Sequence, residues 1–89
     1  MQRREVRYRG RVQGVGFRYT ARQIAGRFPV VGFVENLPDG SVLLVAEGTA
    51  DALDGFLAAV GAEMAHAIRS ADVVTLPATG EIDEFGVRM

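Results

Sequence analysis

A glycine-rich stretch near the start of the chain combines residue types that hold anions. Gly14 and Gly16 are separated by one residue, and Arg18 follows two positions later. Glycine adopts positive φ at low cost and lets the backbone approach a ligand, so the N–H groups of such a loop can surround an anion. A guanidinium donates two parallel hydrogen bonds to phosphate oxygens. The spacing therefore indicates a phosphate-binding site.

Two familiar phosphate motifs fit this stretch poorly. A dinucleotide-binding loop needs a third glycine at position 19, where the chain has Tyr19. The Gly-Lys-Ser/Thr triplet of P-loop NTPases is absent. Taken alone, Gly14, Gly16 and Arg18 also fit a tight turn followed by a solvated arginine. The local pattern leaves both interpretations open.

The flanking residues predict where the glycine-rich stretch lies in the fold. Residues 5–12 alternate between apolar and polar side chains, which is typical of a half-buried strand. Apolar residues then recur at helical spacing from Phe17 to Phe28, where Pro29 disfavours continuation. Arg18 thus lies at a helix N-terminus, where unpaired N–H groups and the helix dipole favour an anion.

The rest of the chain predicts a hairpin, a second helix and one or two further strands. The hairpin turn is Pro38-Asp39-Gly40, with proline and glycine at positions that suit a β-turn. Thr49 is a candidate N-cap for the second helix, which Gly61 can close. Strands are predicted at residues 30–37, 41–47, 71–76 and 85–89, and residues 62–70 fit either a helix or a covered loop.

The order β-α-β-β-α-β predicts an α+β, ferredoxin-like sandwich with both helices on one face of the sheet. We expect residues 1–89 to form one domain with an antiparallel sheet of four to five strands. The first two strands should be parallel, with the third between them. Arg18 then follows the C-terminal end of the first strand, and Asn36 lies at the C-terminal end of the second. Both ends lie at one sheet edge, roughly 9–10 Å apart at ~4.8 Å per strand.

Composition excludes several kinds of chemistry. The chain has no cysteine and one histidine, His66, which excludes disulfides, zinc–thiolate sites, iron–sulfur clusters and multi-histidine metal sites. The net charge is −1, yet residues 1–27 carry eight arginines and one acid, so an anion would bind in this third of the chain. No apolar run approaches the ~20 residues of a membrane span. We expect a cytoplasmic protein with no membrane partner.

Two longer blocks of sequence resemble the signatures of the acylphosphatase family. The first is Gly10-Arg11-Val12-Gln13-Gly14-Val15-Gly16-Phe17-Arg18, and the second is Gly32-Phe33-Val34-Glu35-Asn36-Leu37-Pro38-Asp39-Gly40-Ser41-Val42. They stand in the family's order and separation, and the similarity extends over nearly the whole chain. Met89 stands where the family often has tyrosine.

The resemblance implies hydrolysis of acyl phosphates to a carboxylate and inorganic phosphate, with water attacking phosphorus in line and no metal or cofactor. Carried over by position, Arg18 would bind the phosphoryl group and Asn36 would hold the attacking water. Backbone amides would complete what we call the phosphate cradle, formed by Gln13, Gly14, Val15, Gly16, Phe17 and Arg18.

A non-catalytic binding module of the same fold, for an anion, a small ligand or RNA, is the alternative. Arg7, Arg9 and Arg11 could form an RNA surface, but the third strand has none of the aromatic residues on which RNA-recognition domains stack bases. A small-ligand regulatory domain needs no pairing of Arg18 with Asn36. We therefore expect a monomeric enzyme that acts on a small acyl phosphate and binds no nucleic acid.

Overall fold

Five strands form one sheet, and two helices cover one of its faces. The computed structural model describes residues 1–89, and the strand order across the sheet is β4-β1-β3-β2-β5. The α+β, ferredoxin-like order expected from the sequence is confirmed. The elements are β1 (Gln2–Gly10), α1 (Phe17–Ala25), β2 (Val31–Asn36), β3 (Val42–Gly48), α2 (Ala50–Glu63), β4 (Ile68–Pro77) and β5 (Phe85–Arg88).

The hydrophobic core lies between the sheet and the two helices. Every second residue of the central strands points into it, as the alternation in the sequence predicts. Burial of each large side chain contributes about 1.5–3 kcal/mol. The largest fully buried side chains are Phe17, Phe56, Leu44, Leu53, Val6, Val12, Val34, Val42, Val45 and Val60, of which Val45 lies on the opposite sheet face.

The central strand β3 fixes the directions of its two neighbours. It pairs antiparallel with β1 and with β2, so β1 and β2 are parallel to each other, as expected. Tyr8 and Asn36 are both register partners of Val42, so the three residues form one row across the sheet. The C-terminal ends of β1 and β2 therefore lie at the same sheet edge, two strand spacings apart.

The last strand corrects the expectation of an antiparallel sheet, because β5 pairs parallel with β2. The reason is where β4 ends. Pro77 and Gly48 are both register partners of Gln2, so the connection of residues 78–84 starts at the edge where β2 begins. Because β5 starts from the edge where β2 begins, it runs beside β2 in the same direction. The sheet is therefore mixed.

The ambiguous residues 62–70 divide between a helix end, a turn and a strand. Helix α2 continues past Gly61 to Glu63, so Gly61 does not close it, and the Met64 N–H donates to the Val60 carbonyl at 3.0 Å. Strand β4 then begins earlier than predicted, at Ile68. Thr49 caps α2 as expected, accepting a 3.2 Å hydrogen bond from the Ala52 N–H. Neither helix has the length and apolar character that a membrane span requires.

Candidate active site

The loop from β1 to α1 makes its turn through two left-handed glycines. Gly14 has φ 76° and Gly16, the N-cap of α1, has φ 78°. A Cβ at either position would meet no atom within 4 Å, so the requirement for glycine is conformational rather than steric. Other residues lose roughly 1–2 kcal/mol in this backbone region. The glycines are therefore what turns the chain into the helix N-terminus.

The backbone N–H groups of this loop are free to bind a ligand. The Arg11 N–H donates to the Ala67 carbonyl at 2.9 Å, and the Thr20 N–H donates to the Gly16 carbonyl at 2.9 Å. Between them, no loop amide of residues 12–16 forms a hydrogen bond within the protein. The amides of the first helical turn, residues 17–19, have no partner four residues earlier. A continuous run of donors thus lies at the positive end of α1.

The side chain of Gln13 fixes this loop to the β2–β3 hairpin. Its Nε2 donates to the carbonyls of Leu37 and Ser41, both at 2.8 Å. Gln13 and Val15 are absent from the cavity described below, and Val15 is exposed. Neither side chain therefore lines the cavity, and the participation of their backbone amides in the phosphate cradle stays a prediction.

A cavity of about 240 Å³ lies where the glycine loop, the start of α1, the end of β2 and β5 meet. Arg18 and Asn36 both line it. We call this cavity the phosphate cavity, and its lining residues are Val12, Gly14, Gly16, Phe17, Arg18, Tyr19, Asn36 and Val87. Three of them, Val12, Tyr19 and Val87, were not predicted from the sequence.

The guanidinium of Arg18 is held by the C-terminal strand and keeps donors free. Its Nη1 donates to the Arg88 carbonyl at 2.9 Å and lies 3.8 Å from the Met89 sulfur. The Nε and Nη2 groups donate to no protein atom. These two nitrogens form one edge of the planar fork, the edge that binds two oxygens of a phosphate or carboxylate.

Asn36, the last residue of β2, carries a buried acceptor without a partner. Its Oδ1 is inaccessible to solvent and accepts no hydrogen bond from any protein group. An unsatisfied buried acceptor costs about 1–3 kcal/mol, and such atoms are rare in folded proteins. Asn36 also lines the phosphate cavity, and its Nδ2, which donates to no protein atom, is not among the solvent-inaccessible atoms, so this end of the amide is open to a water or a ligand.

The contribution of the last strand to the cavity could not be read from the sequence. Val87 pairs in register with Val34, and Arg88 pairs with Glu35, so β5 brings both next to the end of β2. The residues 85–89 predict a strand but not its neighbour, because parallel pairing leaves no turn signal in the sequence. The only local signal in residues 85–89 is their apolar character, which indicates packing against the core.

The phosphate cavity contains one formal charge, that of Arg18. No aspartate, glutamate or histidine lines it. Nowhere in residues 1–89 do three or more metal-ligating side chains of the His, Cys, Asp and Glu types come together. An anion in the cavity would therefore meet a guanidinium and a helix N-terminus, with no acidic side chain among the lining residues.

A mixed sheet with two helices on one face makes this an α+β, ferredoxin-like protein with a cationic cavity at the sheet edge, and comparisons with known proteins specify its family. The acylphosphatase family model matches residues 4–87. The acylphosphatase of Methylococcus capsulatus is 44% identical over 89 residues, covering 98% of this chain and 96% of the relative. The acylphosphatase of Salinibacter ruber is 45% identical over 85 residues, covering 93% and 88%.

Solved structures agree with the sequence comparisons. The crystal structure of acylphosphatase from Bacillus subtilis matches with a TM-score of 0.89 at 30% identity, covering 100% of both chains. The chain belongs to the acylphosphatase family. It is an enzyme that hydrolyses acyl phosphates, so the alternative of a non-catalytic binding module is set aside.

Proposed function

We propose that Arg18 anchors the phosphoryl group of the substrate and that Asn36 holds the water that attacks phosphorus in line. One observation carries this proposal: the two side chains line the same cavity of about 240 Å³. They reach it from different elements, one from the start of α1 and the other from the end of β2.

The proposed anchoring uses the free edge of Arg18 together with the phosphate cradle. Phosphoryl transfer through a loose transition state depends on positioning and on stabilising charge at the equatorial oxygens. The Nε and Nη2 donors of Arg18 are unoccupied, and the loop amides beside them have no protein partner. Such preorganised donors stabilise the developing charge without having to reorganise during the reaction.

The proposed role of Asn36 follows from its side-chain amide at the cavity, whose Nδ2 has no protein partner and is not among the solvent-inaccessible atoms. A water that accepts a hydrogen bond from Nδ2 through one lone pair keeps the other lone pair for phosphorus, in the cavity that Arg18 also lines. The water then bonds to phosphorus as the bond between phosphorus and the acyl oxygen breaks. One proton stays on phosphate, and the other ionises to solvent. Asn36 is proposed to orient the water and not to remove its proton, because a neutral amide is not a base.

We further propose that the reaction requires no metal ion and no general acid. The leaving group is a carboxylate, which is stable at neutral pH without protonation. The charge on the phosphoryl oxygens is met by Arg18 and by the positive end of α1.

Hydrolysis of benzoyl phosphate, with and without EDTA, tests this proposal. The proposal expects benzoate release at the same rate in both conditions, measured against spontaneous hydrolysis in the same buffer. Loss of activity on chelation, restored by added Mg²⁺, would contradict the metal-independent part. No turnover in either condition would contradict the assigned chemistry as a whole.

We also propose that the enzyme acts as a cytoplasmic monomer on small molecules and binds no nucleic acid. Two arginines of the open sheet face are already engaged, Arg3 with Glu47 at 3.1 Å and Arg9 with Asp72 at 2.5 Å. The guanidinium of Arg88 stacks on the Phe33 ring, 3.5 Å from its centroid.

Light scattering should give the 9.6 kDa mass of one chain. A dimer mass, or retention on single-stranded RNA at 0.15 M salt, would contradict these points.

A further inference from the structure

A second and larger groove adjoins the phosphate cavity along the outer side of α1. It encloses about 810 Å³, and we call it the acyl groove. Tyr19 lines both the acyl groove and the phosphate cavity, and a 2.7 Å hydrogen bond from Gln23 Nε2 to its hydroxyl holds it. A substrate whose phosphoryl group occupies the cavity can therefore extend over Tyr19 into the groove.

Two arginines in the acyl groove have no counter-charge of their own. Arg22 and Arg27 form no ion pair within 4.0 Å, and their side chains donate no hydrogen bond to the protein. Glu63 is the one acid that lines the groove, and it too is unpaired. The groove thus has an excess of positive charge that a ligand can use.

Arg22 lies one helical turn from the proposed phosphate anchor. It follows Arg18 by four positions in α1, so the two share one helix face and are about 6 Å apart along the axis at 1.5 Å per residue. Helical side chains lean toward the N-terminus, which directs Arg22 toward the turn that carries Arg18. Like charges at this spacing repel, and α1 contains no acid to offset them.

We propose, on the basis of the function proposed above, that the acyl groove selects substrates whose acyl group carries a second negative charge. The free carboxylate of a four-carbon diacid lies about one helical turn from the phosphorus, which is comparable to the backbone rise from Arg18 to Arg22 along α1. Arg22 contacts this carboxylate, and Arg27 adds positive charge farther along the groove. The chemical step is unchanged: water bonds to phosphorus, and the diacid leaves with both carboxylates ionised.

Succinyl phosphate and butyryl phosphate form a matched pair of substrates, because they differ in the terminal carboxylate of a four-carbon acyl group. The wild-type ratio of kcat/KM should favour succinyl phosphate at least about fivefold, the upper end for one exposed charge pair. The ratio should fall to near unity in Arg22→Gln/Arg27→Gln. It should persist in Arg69→Gln, which removes an exposed arginine on β4 that lines neither cavity.

Salt gives a second, independent readout of the same contact. The preference should shrink in 1 M NaCl, where the Debye length is about 3 Å instead of about 10 Å at 0.1 M. A preference that rests on shape alone would not change with salt. Persistence of the full wild-type ratio at 1 M salt would overturn the charge-based selection.

The outcomes separate this inference from the proposed function. A wild-type ratio near unity, or a ratio unchanged in the double variant, overturns the selection while hydrolysis of both substrates leaves the proposed function standing. Hydrolysis of neither substrate overturns both the selection and the proposed function.

Arg22 also lies in the last turn of α1, where a cation interacts favourably with the helix dipole. If that were its only role, Arg22→Gln would lower the melting temperature and leave the ratio unchanged, which also overturns the inference.

Discussion

The guanidinium of Arg18 donates a 2.9 Å hydrogen bond to the backbone carbonyl of Arg88, although 70 residues separate them in the chain. The carbonyl belongs to β5, which reaches this position because residues 78–84 cross the opposite edge of the sheet. The orientation of the proposed phosphate anchor thus depends on the last strand of the fold.

Removal of residues 88–89 should lower kcat/KM for benzoyl phosphate about tenfold or more. A hydrogen bond to a charged group contributes about 1.5–3 kcal/mol, and tenfold corresponds to about 1.4 kcal/mol. Arg88→Ala is the matched control, since it keeps the carbonyl and removes only the contact with Phe33. Met89→Ala, which removes the sulfur that lies 3.8 Å from Nη1, controls for the second deleted residue and should keep activity. Full activity in the truncated enzyme, or an equal loss in either control variant, would show that the carbonyl does not position Arg18.

Replacement of Arg18 should remove most of the activity. We expect Arg18→Ala to lose at least about 10²-fold in kcat/KM, because the charged donor proposed to bind the phosphoryl group is lost. Arg18→Lys keeps the charge but not the planar fork, so it should recover only part of the loss. Arg11→Ala, an exposed arginine outside the phosphate cavity, should retain activity. Assays of all three variants at matched folded fraction check this, and wild-type activity in Arg18→Ala would refute the anchor.

The two glycine substitutions Gly16→Ala and Gly61→Ala should have opposite effects. Gly16 has φ 78°, so alanine there should destabilise the fold by about 1–2 kcal/mol and distort the phosphate cradle. Gly61 lies inside α2, where a Cβ meets no atom within 4 Å, so alanine should stabilise the fold by up to about 1 kcal/mol. Urea unfolding and benzoyl phosphate assays test both. A neutral Gly16→Ala would mean that the left-handed conformation is not required.

Much of the site could be predicted because it depends on element order. Two parallel strands with a third between them must end at the same sheet edge, which places Asn36 near the helix that carries Arg18. The chemistry of the glycine loop is likewise local, since positive φ and free amides arise within a few residues. These features need no knowledge of distant contacts.

The parts that could not be predicted depend on long-range contacts. The position of β5 depends on the crossing connection, and Glu47 holds that connection by accepting hydrogen bonds from the Thr79 N–H at 3.0 Å, the Thr79 hydroxyl at 2.8 Å and the Gly80 N–H at 3.1 Å. Nothing in residues 78–84 alone indicates this partner. The early start of β4 was also hidden, because the apolar residues before Ala71 match a helical period as well as a turn followed by a strand.

Glu47 should make stability depend on pH in the acidic range. Burial by itself would raise the pKa of this carboxyl, but hydrogen bonds from Thr79 and Gly80 and the Arg3 guanidinium lower it from 4.5 to about 2. Because the folded pKa lies below the unfolded one, the ionised carboxylate stabilises the fold above pH 4.5, and this contribution is lost as the pH falls from 4.5 to 2.

Glu47→Gln should therefore be less stable than wild type at pH 7, by about 1–3 kcal/mol, and the difference should narrow toward pH 2. Urea midpoints at several pH values measure it. Asp72→Asn is the control, since Asp72 pairs with Arg9 on an exposed surface and should change stability by no more than about 1 kcal/mol. A difference for Glu47→Gln that does not vary with pH would contradict this account.

The division of labour between Arg18 and Asn36 is tested most directly by the Asn36→Ala variant, assayed for benzoyl phosphate turnover and for inorganic phosphate affinity by competition or calorimetry. Asn36 is proposed to hold water and not phosphate, so turnover should vanish while phosphate affinity stays within about threefold of wild type, a change of under about 1 kcal/mol. Full turnover in this variant would contradict the assignment of the attacking water to Asn36.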